Sequence, residues 1–262
     1  MRLRIITATR GESPFWPDTL ASVAAAAREA EHVVVCPVAR MSDVGAAGSP
    51  LSIMAETARG LYPSLNQGWR ARGEFDAFTW INDDDVLRAP GFSTLVAAME
   101  RDPTIDVAFG RVDLIDGRGR RVCDLPIARR VEDLGTLLAR GTIPLAQPGT
   151  VIRRTLVTRL GGFDERYRMV GDMDFFVRAV AAHARFKFVD AHVASFRLHA
   201  GQLSKHETEV AIETARALKW LVGTALRRGA AARFRVANWR AYVERVRKYG
   251  WISLRQLYDR TH

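Results

Sequence analysis

Short apolar runs and longer amphipathic segments alternate over the first 110 residues of the chain. The apolar runs predict strands at residues 2–9, 33–35, 75–81 and 107–110. The run at 33–35 consists of three valines, which is typical of a strand buried on both faces. The amphipathic segments predict helices at residues 17–30, 61–72 and 91–100. Pro17 suits the first turn of a helix, and Gly73 suits the position just after one.

This alternation of strand and helix predicts a mostly parallel sheet with helices on both faces. In such sheets, ligands bind beyond the carboxyl ends of the strands. The acidic run at residues 82–85 follows the third predicted strand, so we expect it at that edge.

The second half of the chain has a less regular pattern. Further strands are predicted at residues 147–153, 186–189 and 193–197, and helices at 155–160 and 172–182. Residues 41–50 are rich in Gly, Ala, Ser and Asp and predict a loop. From residue 207 the pattern is helical and basic. We therefore predict one α/β domain over residues 1–204 and a basic amphipathic helical extension over residues 205–262.

The net charge of +10 is concentrated in this extension. Residues 205–262 carry 13 Lys and Arg against 5 Asp and Glu, whereas residues 1–204 carry 26 against 24. Because aromatic residues alternate with the basic ones, the apolar side of the extension could pack on the main domain, enter an anionic membrane interface or form a dimer surface. Nucleic-acid binding is disfavoured, since the main domain is almost neutral and its acidic run would repel phosphates.

The two cysteines, Cys36 and Cys123, are far apart and match no paired metal-binding spacing. Isolated cysteines in a chain of this length indicate a reducing compartment without disulfides. The first residues become polar too soon for a signal peptide, and no apolar stretch approaches the ~20 residues of a membrane-spanning helix. We expect a cytoplasmic protein, at the inner face of the membrane if the extension binds lipid.

Three consecutive carboxylates, Asp83, Asp84 and Asp85, give the strongest chemical signal. Their mutual repulsion is costly unless solvent or a cation offsets it. Mg²⁺ and Mn²⁺ prefer oxygen ligands, and Mg²⁺ is often held by one or two carboxylates together with substrate phosphates. The run therefore predicts either a divalent cation that holds a diphosphate or a solvated acidic turn that caps a helix.

Two further residues have both a functional and a structural interpretation. Asp172 precedes an apolar helix face, where it could be a general base or a first-turn acid that stabilises the helix. His199 follows a predicted strand and begins a loop containing Gly201, where it could be a site residue or a packed one.

Taken in order, four segments of the chain resemble motifs of glycosyltransferase family 2, the inverting enzymes of the GT-A fold. The segment 60–73 running into 80–85 resembles the approach to the family's acidic "DXD" motif, and 147–154 resembles its middle segment. Gly162-Phe163-Asp164-Glu165 with Asp172-Met173-Asp174 resembles the acceptor-side motif, and Phe196-Arg197-Leu198-His199 resembles the late histidine motif. The resemblance covers roughly residues 3–204. It implies a GT-A-like nucleotide-binding sandwich, with a mostly parallel but mixed central sheet flanked by helices.

The resemblance also implies roles for individual residues. On the donor side, Thr7 and Thr9 would lie near the base and ribose, and Asn82 and Asp83 near the ribose and diphosphate. Mg²⁺ or Mn²⁺ would be held by Asp84 and Asp85, with His199 at the metal or the leaving diphosphate. On the acceptor side, Asp172 would be the catalytic base.

One segment departs from the family pattern. In place of an acidic, Gly/Ser-rich turn after the second strand, residues 35–43 read VCPVARMSD, and Asp43 is the candidate substitute. The implied activity is inverting transfer from a nucleotide-diphosphate sugar, by default a UDP-sugar, to a glycan or lipid-linked acceptor hydroxyl in surface polysaccharide or glycolipid synthesis. A metal-dependent sugar nucleotidyltransferase and an inactive relative that acts as a scaffold are the alternatives.

Overall fold

The computed structural model describes residues 1–45, 51–199, 207–221 and 226–249, without the side chains of residues 207–209, 248 and 249. The described residues form nine strands: β1 Leu3–Ala8, β2 Glu31–Cys36, β3 Ser52–Ala55, β4 Ala77–Trp80, β5 Val86–Leu87, β6 Val107–Ile115, β7 Arg121–Asp124, β8 Thr150–Arg153 and β9 Phe186–Arg197. They also form ten α-helices: α1 Trp16–Ala26, α2 Met41–Gly45, α3 Leu61–Arg70, α4 Ala89–Arg101, α5 Leu134–Ala139, α6 Arg154–Leu160, α7 Gly171–Ala181, α8 Glu207–Leu218, α9 Ala230–Ala237 and α10 Trp239–Tyr249.

The nine described strands belong to one mixed sheet with the order β3-β2-β1-β4-β8-β6-β9-β5, and β7 pairs with the end of β6. The strands β1, β2, β3 and β4 are parallel. Since β8 is antiparallel to both β4 and β6, and β9 is parallel to β6, the strands β6 and β9 point the same way as β1. The carboxyl ends of β1, β4 and β9 therefore lie at one edge of the sheet.

An apolar layer covers each face of the sheet. The neighbours Ile5 and Ile6 in β1 point to opposite faces, and both are fully buried. Ile6 belongs to the larger cluster, with Trp80 of β4 and Phe176 of α7. Ile5 belongs to the second cluster, with Phe92 of α4. Burial on both faces explains why consecutive residues of these strands are apolar, as at Ile5 and Ile6 of β1 and at the three valines of β2.

The strands and helices predicted in the first half are confirmed, with shifted ends. Helix α1 ends at Ala26 instead of residue 30, and β6 continues to Ile115 instead of ending at residue 110. The sequence pattern does not predict β3, β5 and β7, which have two to four residues each. Strands this short are below the length at which a period of two becomes visible.

Three predictions for irregular regions are wrong in part. Residues 147–149 form a 3-10 turn instead of strand, because Pro148 has no N–H for a ladder. The two strands predicted at 186–189 and 193–197 are one strand, β9, whose register shifts where it passes Arg111 of β6. Residues 41–45 are helical instead of loop. The rest of that predicted loop, 46–50, lies outside the described residues.

The basic extension shares the core of the α/β body. Ala217, Leu221 and Phe234 are buried in the same apolar cluster as Trp80. The Asn238 amide also accepts a hydrogen bond from the Ile127 N–H and donates one to the Ile127 carbonyl, both at 2.9 Å. The boundary predicted at residue 204 falls outside the described part of the chain. No described helix has the length and apolar character needed to cross a membrane.

Candidate active site

Polar residues follow β1, β4 and β9 at the sheet edge that these strands share. Thr9 follows β1, the residues 82–85 follow β4, and His199 lies two positions after the end of β9. We call residues 82–85 the acidic turn. The backbone N–H of Arg197, the last residue of β9, donates to Asp85 Oδ1 at 2.9 Å, across 112 positions of sequence. The fold thus brings the acidic turn and the late histidine segment together.

Asp83 lies on the side of the acidic turn that faces β1. Its carboxylate accepts a hydrogen bond from the Thr9 hydroxyl, and its carbonyl accepts one from the Ser13 hydroxyl at 2.8 Å. Thr9 Oγ1 accepts a hydrogen bond from the N–H of Gly11 at 2.9 Å. Burial raises the pKa of Asp83 to about 6, with the charge of Asp84 adding to the rise and the Thr9 hydroxyl opposing it. Two of the predicted donor-side residues, Thr9 and Asp83, are therefore in direct contact.

Asp84 and His199 face each other. Asp84 Oδ2 lies 2.7 Å from His199 Nε2, and the two side chains are only 15% and 21% exposed. The Phe15 ring packs on the imidazole with 5.0 Å between ring centroids. The second carboxylate oxygen, Asp84 Oδ1, is buried and has no hydrogen-bond partner among the described residues. A buried carboxylate oxygen without a partner is costly, so this position favours a bound cation or donor.

Asp85 points into the protein. It is fully buried, and Oδ1 accepts the Arg197 N–H while Oδ2 accepts the Asn82 side-chain N–H at 3.3 Å. Its carbonyl accepts the Thr19 hydroxyl of α1 at 2.8 Å. Burial and the neighbouring Asp84 charge raise the pKa of Asp85 well above its usual value. Both carboxylate oxygens of Asp85 thus hold the turn in shape.

Arg197 is a buried arginine that sequence reasoning did not assign to the site. Its guanidinium donates to the Asp84 carbonyl at 2.7 Å and to the Asp18 carboxylate at 2.9 Å, and it lies 4.5 Å from the centroid of the Phe15 ring. A charged residue at the end of an apolar strand is the signal that indicates it, because a buried guanidinium needs acceptors nearby. Nothing in the sequence identifies those acceptors.

Asp172 lies in the first turn of α7. The Tyr62 hydroxyl of α3 accepts the Asp172 N–H at 3.3 Å and lies 3.5 Å from Asp172 Oδ1. A Cβ added to Gly171 would lie 2.7 Å from the Tyr62 ring, so glycine allows this close approach. Burial raises the pKa of Asp172, and hydrogen bonds from the helix start and from Tyr62 limit the rise. A carboxyl group with a raised pKa suits proton acceptance nearer to neutral pH.

The start of α7 and the acidic turn are connected through Trp80, the last residue of β4. The Phe176 ring of α7 stacks on Trp80 with 6.3 Å between centroids, and Phe163 packs on Trp80 edge-on at 4.9 Å. Asp172 lies one helical turn before Phe176 and on the same face of α7, about 6 Å along the helix axis. The acidic turn begins two residues after Trp80. Trp80 thus links α7, in whose first turn Asp172 lies, to the strand that precedes the acidic turn.

Two donor-side candidates have partners inside the protein. Thr7 is fully buried, and its hydroxyl lies 3.0 Å from His32 Nε2 of β2. Asp43 forms an ion pair with Arg40 at 3.2 Å, and Arg40 also pairs with Glu12 at 3.1 Å. Roles for Thr7 and Asp43 in nucleotide binding stay predictions.

The acidic turn fits a metal ion that shares its ligands with a substrate. No cluster of three or more His, Cys, Asp or Glu side chains that could hold a metal occurs in the described ranges. Asp84 offers one unpaired carboxylate oxygen, and His199 bonds to the other oxygen of the same carboxylate. Mg²⁺ is commonly held by one or two carboxylates and completed by substrate phosphates and water. The residues present therefore fit an ion that is bound together with a diphosphate.

Solved structures with the same architecture include two proteins that were crystallised with nucleotide sugars. Residues 1–349 of S. aureus TarS, in complex with UDP-GlcNAc, have a TM-score of 0.66 and 16% identity, covering 98% of this chain and 78% of that one. The mannosyltransferase PcManGT from Pyrobaculum calidifontis, in complex with GDP-Man and Mn²⁺, has a TM-score of 0.59 and 16% identity, covering 98% and 84%. The chain shares their fold. No protein-family model and no curated protein sequence matches it.

The fold class predicted from the sequence is thereby confirmed: a GT-A-like sandwich with a mixed, mostly parallel sheet flanked by helices. At 16% identity the likeness extends to the fold and not to individual residues. The roles of the acidic turn, Asp172 and His199 therefore depend on the local geometry described above.

Proposed function

We propose that this chain is an inverting, divalent-metal-dependent glycosyltransferase of family 2 that moves a sugar from a nucleotide-diphosphate sugar to an acceptor hydroxyl. The observation that carries the proposal is Asp84, whose buried, unpaired oxygen lies beside His199 at the carboxyl edge of the sheet. Proteins with the same fold have been crystallised with UDP-GlcNAc and with GDP-Man and Mn²⁺ at comparable TM-scores.

Asp84 and His199 are the residues that we propose hold Mg²⁺ or Mn²⁺ directly. When bound, the metal neutralises the charge that develops on the departing nucleoside diphosphate. Asp85 was predicted from the sequence as a ligand too, but both of its oxygens already accept hydrogen bonds. We therefore propose that Asp85 and Asn82 shape the turn that presents Asp84.

Thr9 and Asp83 line the donor side in this proposal. Asp83 is half-buried and faces the loop after β1, where a hydrogen bond from the Thr9 hydroxyl fixes its carboxylate. A carboxylate there is able to accept hydrogen bonds from ribose hydroxyls. UDP remains the default nucleotide, and GDP is the alternative that the binding experiment below compares with it.

Asp172 is the proposed general base. It takes the proton from the acceptor hydroxyl as the oxygen attacks the sugar carbon on the face opposite the departing diphosphate, so that the anomeric configuration inverts. Its carboxylate is half-buried, and Tyr62 bonds to it on one side. The reaction needs no covalent intermediate, and the acceptor proton ends on Asp172.

The nucleotidyltransferase alternative is less well supported. Such an enzyme would need a loop whose backbone N–H groups are free to bind a triphosphate. In the loop after β1, the N–H of Gly11 donates to Thr9 and the N–H of Phe15 donates to Ser13. These internal bonds occupy two of the donors that a triphosphate would require.

The exposed surface of the extension suggests where the enzyme binds its acceptor. Large apolar side chains that are about half exposed or more include Ile212, Trp220, Leu226, Val236 and Trp239. Lys219 lies over Trp220 at 5.4 Å, and Arg240 over Trp239 at 5.7 Å. Aromatic and basic side chains together suit the headgroup region of an anionic membrane. We propose peripheral contact there and a glycan or lipid-linked acceptor.

Vesicle flotation tests the membrane contact. The intact protein should float with vesicles that contain phosphatidylglycerol and not with pure phosphatidylcholine. The double variant Trp220→Ala, Trp239→Ala should float less, and Ile143→Ala, which removes an exposed apolar side chain outside the extension, should behave like the wild type. Equal flotation of all three proteins would count against this surface.

Nucleotide binding tests the catalytic proposal itself. UDP, GDP, UDP-GlcNAc and GDP-mannose are titrated into the full chain with Mn²⁺ or with EDTA, and hydrolysis of each sugar nucleotide is followed with water as acceptor. We expect binding of one nucleotide series that requires Mn²⁺ and is lost in Asp84→Asn. Asp102→Asn, which changes a half-exposed carboxylate at the end of α4, is the control. Binding of neither series, or binding independent of metal and of Asp84, would overturn the proposal.

A further inference from the structure

A buried carboxylate of the extension lies against the segment that precedes Asp172. Glu213 of α8 is only 8% exposed. Its Oε1 accepts the N–H of Arg168 at 2.8 Å, and its Oε2 accepts the N–H groups of Met169 at 2.9 Å and Val170 at 3.0 Å. Three consecutive backbone N–H groups that converge on one anion form a backbone nest, and here the anion is an internal side chain.

The segment 168–172 obtains its backbone partners from side chains of two distant elements. Residues 168, 169 and 170 donate to Glu213, and Asp172 donates its N–H to the Tyr62 hydroxyl. These donors precede or begin α7, so they have no partner within that helix. The position of the first turn of α7 is therefore fixed by Glu213 on one side and by Tyr62 on the other.

We infer that Glu213 is a positioning residue for the reaction: by binding the backbone of residues 168–170, it sets where α7 begins and hence where the Asp172 carboxylate meets the acceptor. This inference rests on the proposed function, in which Asp172 is the base. It makes the basic extension part of the catalytic unit. Ala217 and Leu221, one and two turns beyond Glu213, hold α8 in place through the main core.

The geometry explains why a carboxylate is needed at this position. A carboxylate has only acceptor oxygens and can receive all three N–H groups, whereas Gln has one oxygen and turns an NH₂ group toward a donor. The variant Glu213→Gln keeps the shape of the side chain but places its NH₂ group against a backbone N–H, so that two donors face each other in a buried place. We expect the start of α7 to shift, and a displacement of about 1 Å can cost about a hundredfold in rate.

The test compares Glu213→Gln and Glu213→Ala with the control Glu244→Gln. Glu244 lies on α10 of the same extension and pairs with Arg121. With the nucleotide sugar that the wild type hydrolyses in the presence of Mn²⁺, kcat should fall about ten- to a hundredfold in both Glu213 variants. The Kd of the Mn²⁺–nucleotide complex should stay within about twofold of the wild type, because the donor side is not touched. Glu244→Gln should match the wild type in both quantities.

A double-mutant cycle separates positioning from general destabilisation. If Glu213 acts through Asp172, adding Glu213→Gln to Asp172→Asn should lower the residual rate by no more than about twofold. Losses that multiply in the double variant, or a fall of nucleotide binding in parallel with kcat, would overturn the inference.

Hydrogen exchange of the wild type provides a readout that depends on neither folding of a variant nor activity. The backbone N–H groups of residues 168–170 should be protected as strongly as those inside α7. Fast exchange of all three overturns the inference, even if no Glu213 variant can be purified. If the wild type neither binds nor hydrolyses any nucleotide sugar, the proposed function fails; if it does and Glu213→Gln equals it, only the role of Glu213 fails.

Discussion

The acidic turn and the start of α7 hold their carboxylates in opposite ways. The acidic turn places three carboxylates side by side, and the loop after β1, helix α1 and strand β9 all bond to it. The start of α7 presents Asp172 with one side-chain partner, Tyr62. Burial raises the pKa of carboxyl groups in both regions, but only in the acidic turn does a neighbouring carboxylate add to the rise. A bound cation would offset that repulsion. In the proposed function, the first region therefore supplies electrostatic stabilisation and the second supplies proton transfer.

The largest effect is expected from replacing the proposed base. Asp172→Asn keeps the side-chain volume but cannot accept the proton, so kcat should fall about 10²–10⁴-fold, the usual contribution of general-base catalysis. The Kd for the Mn²⁺–nucleotide complex should not change, because the proposed donor site is at the acidic turn. Rates and binding are measured on the same preparation, with Asp102→Asn as the control. A wild-type rate in Asp172→Asn would remove the contrast between the two regions.

The next largest effect concerns the stability of the acidic turn. Arg197→Met keeps an apolar stem but removes the donors to the Asp84 and Asp116 carbonyls. The Asp116 carbonyl keeps the Gly119 N–H at 2.9 Å, so the Asp84 carbonyl is the acceptor left unpaired. A buried unpaired acceptor costs about 1–3 kcal/mol, and the free energy of unfolding should fall by about that amount. Urea unfolding measures it.

Arg2→Met is the matched control for Arg197→Met. It removes an arginine that is 60% exposed and pairs with the exposed carboxylates of Glu74 and Asp76. Exposed ion pairs contribute about 0–1 kcal/mol, so its stability should stay close to that of the wild type. Equal losses in the two variants would mean that the acidic turn does not depend on Arg197.

The parallel half of the fold could be predicted from the sequence because strands buried on both faces produce local apolar runs such as Val33–Val35. The acidic turn could be predicted for a similar reason, since consecutive carboxylates after a strand are a local signal. What could not be predicted depends on contacts between distant residues. Glu213 lies in α8, and nothing near it in the sequence indicates that residues 168–170 need an acceptor.

The distinction between Asp84 and Asp85 likewise required the structure. In the sequence the two residues are adjacent and chemically equal. They differ because the end of β9 lies beside Asp85, which accepts the Arg197 N–H, while Asp84 Oδ1 has no hydrogen-bond partner among the described residues. The same holds for Thr7, which the resemblance assigns to the nucleotide but which bonds to His32 within the sheet.

An intermediate effect should separate these two aspartates. Asp84→Asn should weaken Mn²⁺-dependent nucleotide binding by at least about tenfold. Loss of a group that only orients a metal ligand already costs about tenfold or more in metal affinity, and loss of a ligand should cost no less. Asp85→Asn places an NH₂ group against the Arg197 N–H or the Asn82 amide, and should lower the free energy of unfolding by about 1–3 kcal/mol. Nucleotide titration at several Mn²⁺ concentrations and urea unfolding measure the two effects. The reverse pattern would make Asp85 the ligand and Asp84 the structural residue.

The smallest effect is a shift in the pH dependence of the rate. Asp172 must be ionised to accept a proton, and burial raises its pKa, so activity on the acid side should be lost above the range of an ordinary aspartate, whose pKa is about 3.9. The Tyr62 hydroxyl lowers the pKa of Asp172, so Tyr62→Phe should raise it further. A single hydrogen bond contributes about 0.5–1.5 kcal/mol, which corresponds to a shift of about one pH unit or less toward higher pH. Profiles of kcat against pH for the wild type and Tyr62→Phe, at saturating Mn²⁺ and donor, measure the shift. An acid limb that stays fixed or moves to lower pH in Tyr62→Phe would mean that it reports a group other than Asp172, and Asp172 would lose its proposed role as the base.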